Sequence, residues 1–202
     1  MSRRRCSVVD LEIEQKLEKR YDEEEKRGTH RKVLEWINNC LVNEYDFLFC
    51  GSYSWKEIQK FLEDGMILCR LMNRLLVQAG HPKLDYKIQQ SKKYDNTIWT
   101  ENAKENVALY NEGALKLGVN EMYLIDASDL LNGRKGHMFN IVVAIHHLGL
   151  VANEKGLTPS FEKPKHTGRK LSIVNIMNGR HMLELIQQMG YNGAEDIEDM
   201  ED

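Results

Sequence analysis

Along most of this chain apolar residues recur every three to four positions, and no segment alternates as a half-buried strand would. In RKVLEWINNCL, Val33, Ile37, Cys40 and Leu41 keep helical spacing, joined by Leu34 and Trp36, which predicts a core helix. Upstream, Val9 to Arg27 is charge-rich with one thin apolar face at Leu11, Ile13, Leu17 and Tyr21. Gly28-Thr29 breaks that pattern and places Thr29 to cap the core helix. After a polar and aromatic loop from about Val42 to Tyr53, Ser54 and Glu57 have capping-box spacing. They would open a short helix that carries Ile58, Phe61 and Leu62.

The stretch FLEDGMILCRLMNRLL poses a choice, because Asp-Gly between apolar runs is a hairpin signal. The apolar residues after it, Ile67, Leu68, Leu71, Met72, Leu75 and Leu76, are spaced by three and four, and Gly80-His81-Pro82 is a helix stop. Asp64 therefore reads as a helix cap and Gly65 as a point of close backbone approach. Met66 and Cys69 widen the apolar face, which predicts a central, buried helix. Residues 82 to 99 read as a long irregular segment. Ala103, Val107, Tyr110, Ala114 and Leu117 then mark an amphipathic helix closed by Gly118. Asp126 and Asp129 read as caps of consecutive short turns around Leu124, Ile125, Leu130 and Leu131, and Asn132 to Gly136 as a loop. Met138, Ile141, Val142, Ile145 and Leu148 form a last core helix that ends near Gly149 or shortly after. The pattern predicts an all-α protein.

Composition narrows the function classes. The chain has 202 residues, 42% hydrophobic and 29% charged, with a net charge of -3, so no overall basic field favours nucleic acid. The apolar runs are too short to span a bilayer, and no signal-peptide core follows Met1-Ser2-Arg3-Arg4-Arg5, which predicts an intracellular protein without membrane insertion. Cys6, Cys40, Cys50 and Cys69 lack zinc or disulfide spacing and read as reduced thiols. No phosphate-cradling glycine loop is present. Adjacent His146 and His147 point about 100° apart on a helix and read as packing or surface residues rather than a chelating pair. Cys69, in the most apolar helix, reads as an inert core thiol. The expectation is a non-enzyme with no catalytic residues, cofactor or metal. Beyond Gly156 the character changes: Lys163, Lys165, His166, Arg169 and Lys170 cluster after Pro159 and around Pro164, and residues 195 to 202 hold six acids in eight positions.

Several strings carry a resemblance. KLEKRYDEEEKR (Lys16 to Arg27) followed by VLEWI resembles the start of transgelin and calponin proteins. FLEDGMILCRLMNRL resembles the central helix of the calponin-homology domain. ENVALYNEGALKLGV and LIDASDLLNGRKGHMFNIVVAIHHLG are similar to its later core helix and its last turns and helix. The resemblance covers roughly residues 15 to 153. It implies a helical lead-in over 1–27, a calponin-homology domain of four main helices over 28–153, a basic linker with a calponin-like repeat over 154–193, and an acidic tail over 194–202. It also implies a cytoplasmic, cytoskeleton-associated protein that binds, and bundles or stabilises, actin filaments. The contact would be made by Lys163, Lys165, Arg169 and Lys170, with Arg180 in the repeat. In that repeat Ile176, Met177, Gly179, Arg180, Met189 and Gly190 fall at family positions, but Met182 to Ile186 replaces a small-residue centre. The alternative is an adaptor whose helical domain docks another cytoskeletal or signalling protein, with little or no filament binding.

Overall fold

A computed structural model describes residues 8–42, 49–88 and 96–161. Its elements are α1 (Val8–Lys26), α2 (Thr29–Leu41), α3 (Trp55–Leu62), α4 (Met66–Gln78), α5 (Asn96–Lys116), a 3-10 turn (Glu121–Tyr123), α6 (Ala127–Asn132) and α7 (Lys135–Glu154). No strand occurs among the described residues, so the all-α expectation holds. The core is organised around α4 and α7. α4 packs against α2, α3 and α5, and α7 against α1, α2, α3 and α6. α4 buries Ile67, Leu68, Cys69, Leu71, Met72, Leu75 and Leu76, which makes it the central helix that its sequence predicts. Each such side chain removed from water contributes about 1.5–3 kcal/mol before ordering entropy is set against it.

The Asp-Gly step opens this helix, with Gly65 rather than Asp64 at the cap position and Asp64 one residue before it. Asp64 Oδ1 accepts from Met66 N at 2.8 Å, and Gly65 adopts φ +71°. A Cβ at residue 65 would lie 2.8 Å from Asn106 Cβ, so glycine is required twice, for its backbone angle and for the approach of α5. Gly149 is also a packing glycine rather than a helix end. α7 runs on to Glu154, and the Phe161 ring lies where a Cβ of residue 149 would sit.

Other local expectations are corrected. Thr29 is not a cap. Gly28 holds that position, and the Thr29 hydroxyl donates to Glu24 Oε2 at 2.6 Å. Ser54 occupies the cap position of α3 without a side-chain cap bond: the Glu57 N–H donates to the Ser54 carbonyl at 3.1 Å, and the Glu57 carboxylate accepts from the Ser52 hydroxyl rather than closing the box. Leu11 is half-exposed, and α1 buries Leu17 and Tyr21. α5 begins at Asn96, two turns before Ala103, because Trp99 sits four residues upstream in the same register and is buried. Asn132 to Gly136 is not a loop throughout: α7 starts at Lys135 and leaves only Gly133 and Arg134 between helices. Asp126 caps α6 through Ser128 N, but Asp129 lies inside α6 and is buried.

The irregular segments are held by a repeated device. An amide side chain on a helix accepts from the N–H and donates to the C=O of one loop residue, as a neighbouring strand would. Asn38 holds Phe49 in this way, Asn73 holds Leu84, Gln78 holds Thr158, Asn106 holds Lys87, Asn111 holds Ile125, and Asn153 holds Phe161. Each bracket satisfies two backbone groups that a loop would otherwise leave to water.

Candidate interaction surfaces

The five cations expected to make contacts, Lys163, Lys165, Arg169, Lys170 and Arg180, lie outside the described residues, as do the repeat-like segment and the acidic tail. The structure fixes the point from which they depart. Leu157 and Phe161 are buried in the core beyond the end of α7. Trp36 Nε1 donates to the Pro159 carbonyl at 2.9 Å. The Phe161 ring meets Trp36 and His146 edge-on, with centroids 5.3 and 5.1 Å away. With the brackets from Gln78 and Asn153, residues 157–161 form a docked strap.

Beside this strap lies a groove of about 370 Å³ between the outer face of α4 and the extended segment 82–88. Arg70, Asn73, Arg74, Val77, Gln78, Lys83, Leu84 and Tyr86 line it. Three of these are cations, and no carboxylate is among the described lining residues. Both asparagine brackets shape it: Asn73 holds Leu84, and Asn106, fully buried, holds Lys87 while also donating to the Asp64 carbonyl at 2.9 Å. Arg70 Nε donates to the Tyr86 hydroxyl at 3.1 Å, which fixes one guanidinium at the groove wall. The arrangement suits an anionic ligand or peptide, since fixed cations on low-dielectric walls concentrate the field.

Buried titratable groups serve packing. Asp129 accepts from Asn140 Nδ2 at 3.0 Å, and His137 Nδ1 lies 3.1 Å from its other oxygen, so the cluster staples α6 to α7; burial raises the Asp129 pKa. The Cys69 thiol donates to the Asn106 carbonyl at 3.1 Å, and burial pushes its pKa up to about 12, as an inert core thiol requires. His147 stacks on Tyr123. Among the described residues no group of three His, Cys, Asp or Glu is placed to hold a metal.

His30 packs its ring 4.2 Å from that of Tyr21, where α1 meets α2. Burial pushes its pKa down from 6.5 to about 4, only partly offset by Glu24 and Asp22. With the folded pKa below the unfolded one, the unfolded chain takes up the proton first as pH falls. The stability due to neutral His30 is complete above about pH 6.5 and is lost as pH falls towards 4. His146 and His147 are shifted in the same direction by burial, so a difference isolates His30. Thermal midpoints measured across this window should fall less steeply for His30→Gln than for the unaltered chain. Parallel profiles would reject the assignment.

Comparison with known proteins places this architecture. The calponin homology (CH) domain family matches residues 28–153. The chain belongs to that family. This CH protein is similar to calponin-2 of Bos taurus, at 27% identity over 150 residues, 74% of this chain and 40% of that protein. Against calponin-2 of Mus musculus identity is 28% over the same shares, and against calponin-2 of Homo sapiens 33% over 102 residues, 50% of this chain and 28% of that protein. The CH chain thus spans about two-fifths of the length of the first of these relatives. No solved structure matches it. No helix among the described residues of the CH protein is long and apolar enough to cross a membrane.

The groove and the brackets were not foreseen from sequence. Arg70 and Arg74 stand one turn apart on α4 and Lys83 in the segment that follows it, and only the fold brings the three to one surface.

Proposed function

We propose that this CH protein is a non-enzymatic cytoskeletal protein that binds actin filaments. In this reading residues 28–153 form the domain, 1–27 its lead-in and 154–193 the contact segment, with 194–202 as an acidic tail. Lys163, Lys165, Arg169 and Lys170, with Arg180, meet the acidic filament surface. Filament bundling or stabilisation belongs to the same reading, since a second contact through the domain or another copy would cross-link two filaments. The observation that carries the proposal is the basic cluster following a CH domain of calponin type in a chain of net charge -3. The docked strap ending at Phe161 supports it, because the cluster then begins two residues beyond an anchored point.

Co-sedimentation with actin filaments tests the proposal. Four screened surface contacts of about 0.3–0.5 kcal/mol each sum to roughly a tenfold change in affinity. The full chain carrying Lys163→Ala, Lys165→Ala, Arg169→Ala and Lys170→Ala together should therefore pellet about tenfold more weakly. Higher salt should weaken the unaltered chain likewise. Equal pelleting would move the contact into the domain. Absence of pelleting from both would favour an adaptor, a reading prompted by the apolar Met182 to Ile186 in place of the repeat's small-residue centre.

A further inference from the structure

We infer that the cationic groove between α4 and residues 82–88 is the docking site of this chain's own acidic terminus, Glu195 to Asp202. That terminus reads Glu-Asp-Ile-Glu-Asp-Met-Glu-Asp, with acidic pairs separated by single apolar residues at Ile197 and Met200. The groove offers the complementary set: Arg70, Arg74 and Lys83 for the carboxylates, and Val77, Leu84 and Tyr86 for the apolar pair. Val77 is half-exposed beside the two arginines of α4. Arginine suits the cationic role because its planar fork pairs with carboxylates, and Arg70 is already oriented by Tyr86.

Connectivity favours an occupant from the same chain. Gln78 lines the groove and brackets Thr158, so the strap that leads to the terminus is pinned at the groove's edge. Roughly 30 residues separate Phe161 from Glu195. Extended, that many residues reach about 100 Å, and a random coil of that length would have a root-mean-square span of about 30 Å. At that range a tethered segment experiences a millimolar effective concentration, so even a weak intrinsic contact stays mostly closed. Arg70, held by the Tyr86 hydroxyl on a helix of the core, is already oriented and loses less freedom on pairing than a cation without such a bond would.

Amide spectra of the isotopically labelled full chain provide the test. In a length-matched variant, Glu195, Glu198 and Glu201 are changed to Gln and Asp196, Asp199 and Asp202 to Asn. The peaks of Asn73, Val77, Gln78, Lys83 and Leu84 should move in that variant. The same peaks should move in the unaltered chain at about 1 M salt, where screening acts within about 3 Å. Lys83→Glu, at an exposed position, should release the terminus and displace the peaks of residues 195–202 without altering the helix content. Three results would overturn the inference: groove peaks indifferent to the tail's charge, movement confined to residues 163–170, or shifts that scale with protein concentration and so mark contact between copies.

Discussion

Replacing Asn106 with alanine is expected to lower the stability of the domain by about 3 kcal/mol. Its side chain makes three hydrogen bonds, accepting from Lys87 N and donating to the carbonyls of Lys87 and Asp64, and it is fully buried. Each such bond contributes about 1 kcal/mol net, and removing the side chain of a fully buried residue also leaves a cavity against Asp64 and α4. The Cβ against Gly65 remains, so the α4–α5 approach is not disturbed. Denaturant midpoints should record the loss, and the Lys87 amide should exchange about a hundredfold faster. Asn73→Ala makes the natural contrast, because Asn73 is only part-buried and water can replace its bonds to Leu84, for a loss nearer 1 kcal/mol. An Asn106→Ala midpoint equal to that of the unaltered chain would mean that the bracket is dispensable.

Phe161→Ala is expected to cost about 3 kcal/mol, at the lower end of the range for a buried aromatic. The ring fills the space that Gly149 leaves and meets Trp36 and His146 edge-on. Because it sits on a strap that follows the last helix of the domain, the chain can release residues 157–161 instead of unfolding, and this limits the loss. The separating observation is the Trp36 indole N–H, which donates to the Pro159 carbonyl. Its exchange with solvent should rise sharply in the variant. A stability loss with that N–H still protected would show that the strap stays docked without its ring.

How far the molecule is legible in its sequence depends on what each residue contributes. α2, α4 and most of α7 bury stripes of large apolar side chains, and periodicity reads such stripes directly. The start of α5 was also within reach, since Trp99 extends the register of Ala103 by one turn. Polar residues carry no comparable signal. Asp129 looks like a helix cap until its burial against Asn140 is seen, and Glu57 has capping-box spacing yet bonds Ser52. Gly149 looks like a helix stop because composition cannot tell a terminating glycine from one that admits an aromatic ring. The groove was the least legible, since Arg70 and Arg74 come from one helix and Lys83 from a segment whose path depends on two amides elsewhere.

Those amides have a consequence for how such a protein can vary. A bracket recognises only peptide groups, and the residues it holds are as unlike as Phe49, Leu84, Lys87, Ile125, Thr158 and Phe161. Where the bracketed residue is exposed, its identity is thereby decoupled from the path of its backbone, whereas buried Ile125 and Phe161 are also held by packing. Lys87, exposed on its segment, can be replaced by a neutral or apolar residue while the chain there keeps its course, losing only its exposed 3.8 Å ion pair with Glu105. The surface can thus be rewritten one side chain at a time on a frame that does not register the change.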